Sequence, residues 1–169
     1  MGVVNTKATA VANADAVPSV LTSRALSGGV VKSAVGTVEV AAGDDDTSVF
    51  RFARVPSNAV PLSILLFNDA ITGGTVYHFG LHHTEANGGT AVDADLFATT
   101  VDLSAARATA GPLNLLFEAL NIDQVGKRLW ELVVGLTADP QCDYDLTATG
   151  ATVGSGAGTI TVILLYTVG

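Results

Sequence analysis

Residues Val35 to Leu81, VGTVEVAAGDDDTSVFRFARVPSNAVPLSILLFNDAITGGTVYHFGL, decide how this chain folds. Apolar side chains recur at every second position, and Gly, Asp, Asn and Pro clusters break the runs at short intervals; this is the period of β-strands separated by turns. A first strand is expected over about Val30–Val40 and a second over Val49–Val55, with Phe50 and Phe52 on one face and Arg51 on the other. The intervening Gly43-Asp44-Asp45-Asp46 reads as a turn that joins them into a hairpin-like pair. After the break at Pro56-Ser57-Asn58, Leu62, Ile64 and Leu66 alternate with Ser63, Leu65 and Phe67. A strand apolar on both faces is expected to be central and covered on both sides. Past Asn68-Asp69 and Gly73-Gly74, Thr75–Thr84 returns to strict alternation with Tyr77, Phe79 and Leu81 on one side. The stretch holds no catalytic element and reads as scaffold.

Towards the C-terminus the pattern is more mixed. Val92–Leu103, carrying Asp93, Asp95, Leu96, Phe97 and Val101, fits a short helix better than a strand, and Pro112–Ala119 reads as another strand. Asn121-Ile122-Asp123 then opens a helix in which Ile122, Val125, Leu129, Leu132 and Val133 recur at helical spacing, with Trp130 beside the stripe, until Ala138-Asp139-Pro140 ends it. Cys142, Tyr144, Leu146 and Ala148 alternate with Asp143, Asp145, Thr147 and Thr149, the mark of a half-buried strand. After the turn Gly154-Ser155-Gly156-Ala157-Gly158, the last strand places Ile160, Val162, Leu164, Tyr166 and Val168 on one face. Seven or eight short strands with one or two short helices predict an all-β, antiparallel two-sheet sandwich of jelly-roll type. An immunoglobulin-like sandwich is the alternative, weakened by the missing Cys…Trp…Cys pattern.

Residues 1–29 read differently. They are rich in Ala, Val, Ser and Thr with little alternation and end in Ser27-Gly28-Gly29, so an extended N-terminal arm is expected, followed by a single domain over 30–169. Val17, Val20, Leu21 and Leu26 give the arm apolar anchors and make it the candidate interface, ordered by lying on a neighbouring subunit.

Composition narrows the function. Charged residues make up 14% of the chain, against roughly 25% in an ordinary domain, so much of the surface is weakly polar and suits a subunit that packs against others. Sixteen acidic residues face eight scattered basic ones, which argues against direct nucleic-acid binding, since neutralising phosphates takes a clustered basic face. The single Cys142 rules out an internal disulfide framework. No apolar stretch approaches the ~20 residues of a membrane span, and MGVVNTKATA lacks the basic start and apolar run of a secretion signal, so neither membrane insertion nor that export route is expected. Gly2 and Thr6 match the permissive myristoylation pattern, which without a polybasic second anchor reads as chance.

The candidate chemistry is thin. In a strand His78 and His82 share a face about 13 Å apart and His83 points the other way, too dispersed for a compact metal site. Asp44-Asp45-Asp46 lacks the alternation, central Gly and terminal Glu of a calcium loop, and Asp93-Ala94-Asp95 reads as favourable charge at a helix start. The glycines at 154, 156 and 158 precede a strand rather than a helix, and Ser155 lies in no nucleophile motif. No enzymatic role, cofactor or metal is expected.

The run TVEVAAGDDDTSVFRFARVPSNAVPLSILLFNDAITGG, with ANGGTAVDADLFATTVDLS and RLWELVVGLTADPQCDYDLTAT, resembles the head decoration or cement proteins of tailed bacteriophages, over roughly residues 35–150. The likeness lies in phrases such as Arg51-Phe52-Ala53-Arg54 and Trp130-Glu131-Leu132 rather than in a catalytic motif. It implies a jelly-roll protein on the outer surface of the virion, bridging major capsid subunits and associating with itself as a homodimer or homotrimer. The alternative is a β-sandwich binding module of a tail fibre or spike, directed at a host receptor or glycan.

Overall fold

The computed structural model describes residues 6–73, 75–107, 111–153 and 155–169. Gly2, Gly74 and Gly154, which enter the sequence reading, lie outside them. A short helix α1 (Thr9–Ala14) precedes the strands β1 (Val31–Val40), β2 (Val49–Pro56), β3 (Ala59–Asn68), β4 (Val76–His83), β5 (Ala91–Asp102) and β6 (Leu113–Asn114). Two single-turn helices, α2 (Leu116–Ala119) and α3 (Leu129–Leu132), lead to β7 (Asp143–Thr152) and β8 (Gly158–Val168).

The strands form two four-stranded antiparallel sheets, A in the order β1-β8-β3-β6 and B in the order β2-β7-β4-β5. The pairs β1·β8, β2·β7, β3·β6 and β4·β5 make one long hairpin with its tip between β4 and β5. Rolling that hairpin adds the β3·β8 and β4·β7 pairings and yields a jelly roll. Every step along the chain except β4 to β5 therefore crosses from one sheet to the other.

That topology corrects the expected hairpin of β1 and β2, which lie in different sheets with the acidic turn as the corner between them. A hairpin turn and a corner draw on the same residues, so local sequence does not separate them. The carboxylates hold the corner: Asp44 accepts the N–H of Ala41 at 2.8 Å and Asp46 that of Val153 at 2.7 Å. Where β1 crosses β2, a Cβ on Gly36 would collide with the Phe52 carbonyl, so the glycine sets how closely the strands approach.

The core lies between the sheets. Tyr77, Phe79 and Leu81 of β4 are fully buried and meet Tyr144, Leu146 and Ala148 of β7 and Ile160, Val162 and Leu164 of β8, as the alternation of these strands requires. The interior void lined by Val55, Ile64, Leu81, Phe97 and Leu164 measures 10 Å³, at most the room of one water.

Three other expectations are corrected. Val92–Leu103 is strand β5, not a helix; register shifts against β4 at three places break its period and disguise it. Asp93 and Asp95 accordingly sit in a strand and not at a helix start. Of Pro112–Ala119 only Leu113 and Asn114 pair as a strand before the chain coils into α2. The continuous helix from Asn121 is two short pieces, a 3-10 turn over Ile122–Gln124 and α3, separated by extended Val125 and by Gly126 at φ +84°. Leu129 and Leu132 reach the core, whereas Ile122 is 91% exposed, so its helical spacing reports no buried stripe.

Candidate functional site

With no room for a ligand between the sheets, the candidate sites are the outer faces and the arm. Sheet register fixes each face, because residues alternating with buried ones point outward.

On sheet B the outward rows are Val49, Thr149 and His78, then Arg51, Thr147 and Gly80, then Arg54, Asp145 and His82. This face is polar yet largely closed. The β5 backbone at Asp93 and Ala94 passes directly over Gly80, where a Cβ would collide with it. Beneath this cover Thr147 and His82 are buried, with His82 Nδ1 2.8 Å from the Thr147 hydroxyl. Arg51 clamps the loop that follows β4, donating to the carbonyls of His83 at 2.9 Å and Gly89 at 3.0 Å. The same guanidinium lies 2.9 Å from Asp145, whose other oxygen takes Arg54 Nε at 2.9 Å. Burial pushes the Asp145 carboxyl up, but hydrogen bonds and charge from Arg54 and Arg51 outweigh it and hold the group below the ordinary aspartate value. Burial, with Arg51 adding to it, pushes His82 below the ordinary histidine value. The open depression beside these groups, lined by Arg51, Phe52, Arg54, Glu85 and Asp145, is a paired ionic surface with neither a free base nor a nucleophile.

On sheet A the outward rows are Ser33, Leu165 and Ser63, then Val35, Ile163 and Leu65, then Thr37, Thr161 and Phe67. None is charged. The Thr37 and Thr161 hydroxyls bond to each other at 2.9 Å. Val35 is 63% exposed, and Leu62, displaced by a bulge between Pro61 and Ser63, is exposed beside the rows. Ile163, Leu65, Leu165 and Phe67 are half-buried. The expectation that β3 is covered on both faces is therefore corrected: Ile64 and Leu66 enter the core, while Leu65 and Phe67 face outward with nothing across most of the face. At one end the chain covers itself. Ala25 lies over the row of Val31, Thr167 and Val60, accepts a hydrogen bond from the Thr167 hydroxyl at 2.8 Å, and leaves Val60 and Thr167 buried.

The arm residues singled out in the sequence do not gather into a site within the chain. Val17 is 100% exposed, Leu21 91%, and Val20 and Leu26 are also exposed. The histidines are equally separate: His78 accepts from Thr99 and Thr100, His82 is buried, and His83 packs on Tyr144. Among the described residues no group of three or more His, Cys, Asp or Glu could hold a metal ion, and no helix is long and apolar enough to cross a membrane. The sequence reading missed the Arg51–Asp145–Arg54 cluster, whose members are brought together only by β2·β7 pairing. The one signal for it was the pair Asp143 and Asp145 at alternate positions at the start of β7.

No family model and no curated protein matches this chain. Among solved structures it is similar to a chain in the capsid of Ralstonia phage GP4, with a TM-score of 0.57 and 18% identity over 83% of this chain and 86% of that one. It is also similar to a chain in the capsid asymmetric unit of cyanophage Pam1, with a TM-score of 0.45, 16% identity and the same coverage. At such identities the likeness to the GP4 chain establishes a shared fold, and the likeness to the Pam1 chain is too slight to support more.

Proposed function

We propose that this chain is a structural protein of a phage virion that binds the outside of the icosahedral capsid and cements neighbouring major capsid subunits. The observation that carries this reading is the fold shared with a chain of the GP4 capsid along 83% of the sequence. Three features of the molecule support it. The interior is filled, so recognition falls to surfaces. The proposed arm over 1–29 offers exposed Val17, Val20, Leu21 and Leu26 to a neighbour. The net charge of −8 keeps the protein from competing for packaged DNA.

A cement needs no chemistry. A protein that binds only the assembled lattice stabilises that lattice by mass action against the pressure of packed DNA, and repetition over many sites amplifies modest contacts. The test is to mix the purified chain with expanded capsids lacking it. Stoichiometric binding and a higher temperature of capsid rupture are expected, and Leu21→Asp should weaken the binding. A chain that binds host glycans and ignores capsids would replace this reading with the fibre or spike module.

A further inference from the structure

We infer that the outer face of sheet A is a docking surface for a second copy of this chain, related to the first by a two-fold axis through the face near Ile163. This goes beyond the capsid reading and stands without it: a chain that pairs in solution but ignores capsids would break that reading alone.

The first ground is that the face is ready to be dehydrated. Its central row, Val35, Ile163 and Leu65, is apolar, and the threonine hydroxyls of the next row already bond to each other. Covering these two rows strands no side-chain donor or acceptor, and beside them the Ser33 and Ser63 hydroxyls must find partners across the contact. The second ground is charge. On a chain of net charge −8, an uncharged patch is where a like-charged copy can approach without repulsion.

The ends of the face then select the geometry. Glu39 and Asp69 stand at one end, where Thr159 bonds to both, and both residues are exposed. At the other end, on the segment laid over the Val31 row, is exposed Arg24. From Glu39 to the Val31 row is eight residues along β1, about 27 Å. An antiparallel two-fold arrangement sets the acidic end of each copy against the basic end of the other, twice, as a self-complementary contact requires. A parallel arrangement would oppose like charges.

Size sets the strength. Three strands about 4.8 Å apart and ten residues long give a face of roughly 15 by 34 Å, on the order of 500 Å² per copy. The pair buries on the order of 1,000 Å², the lower bound for a specific interface, so the dimer is expected to dissociate in the micromolar range.

Sedimentation of the full chain from micromolar to about 1 mM tests this. The wild type should pass from monomer to dimer, and Val35→Lys should raise the dissociation constant at least tenfold with its melting temperature unchanged. Glu39→Lys should also weaken the dimer, and adding Arg24→Glu should restore it, which no general loss of folding would do. Separately, Ile163→Cys in a Cys142→Ala background should be joined by a bis-maleimide spanning the ~10 Å between facing sheets. A chain monomeric at the highest concentration, a dimer indifferent to Val35→Lys, a charge swap that fails to restore it, or a trimer, whose three-fold symmetry one self-complementary face cannot build, would each overturn the proposal.

Discussion

The two outer faces of this sandwich solve the same problem in opposite ways. Sheet B carries polar and ionic side chains and closes over them: β5 crosses Gly80, Arg51 clamps the following loop, and Asp145 sits between two arginines. Sheet A carries valine, isoleucine, leucine and phenylalanine and leaves most of them open, covered only at one end by Ala25. Polar groups buried by a chain need geometrically matched partners, which that chain must supply. Apolar groups need only something to lie against, and that can come from another molecule. Sheet B is thus closed by the chain itself, and most of sheet A is left open.

The comparison can be broken most forcefully at Gly80. Gly80→Val pushes side-chain atoms into the β5 backbone and should cost about 3 kcal/mol or more of folding stability, read by denaturant titration. If the loss is small, β5 does not seal sheet B. Asp145→Ala should come next, at about 2–3 kcal/mol, because it leaves partly buried Arg51 with only the exposed Glu85 carboxylate, 3.8 Å away, as counter-charge. Tyr77→Phe should move the other way. The Tyr77 hydroxyl is buried without a hydrogen-bond partner, and burial, with a contribution from Asp44, pushes its pKa up to about 12. Removing the hydroxyl should leave stability unchanged or raise it by about 1 kcal/mol. The smallest effect belongs to sheet A: Val35→Lys should change stability by less than about 0.5 kcal/mol, since nothing in the chain packs over that side chain.

Titration reads the closed face, where His82 and Asp145 stand in one row of sheet B. His82 binds a proton less readily folded than unfolded, so its contribution is full above its ordinary value of 6.5 and is lost as pH falls below it. Asp145 has the depressed value of a paired carboxylate; its contribution is full above the ordinary 3.8 and is lost as pH falls through the lower folded value. Melting temperature should therefore drop in two steps on acidification. His82→Gln should remove the first step and leave the second.

Legibility in the sequence followed the regularity of the strands. The core faces of β4 and β8 keep a period of two, and buried Tyr77, Phe79, Leu81, Ile160, Val162 and Leu164 were readable from it. β5 was not, because bulges shift residues between faces without any change in composition. The apparent helix over 121–133 failed for a related reason: a spacing of three and four arises by chance in an apolar-rich chain, and only Gly126 hinted at the break. For the candidate surfaces, the lack of alternation before residue 30 marked Val17, Val20, Leu21 and Leu26, which are exposed, but gave no sign that Ala25 lies on sheet A. The open face of sheet A was present in the pattern but read the wrong way, since Leu65 and Phe67 looked like core. Apolar residues on both faces of a strand report that both will be covered, not that one molecule covers them. The Asp145 cluster joins residues more than ninety positions apart, and no local pattern encodes that.

The rolled hairpin also sets the timing of folding. β8 is an inner strand of sheet A, hydrogen-bonded to β1 on one side and β3 on the other. During synthesis β1 and β3 emerge well before residues 158–168, and until then neither has the neighbour they share. The sandwich closes late, through contacts distant in sequence, which favours slow folding and leaves strand edges open in the nascent chain. A ribosome that stops before Gly158 releases two unpaired edges rather than a smaller domain.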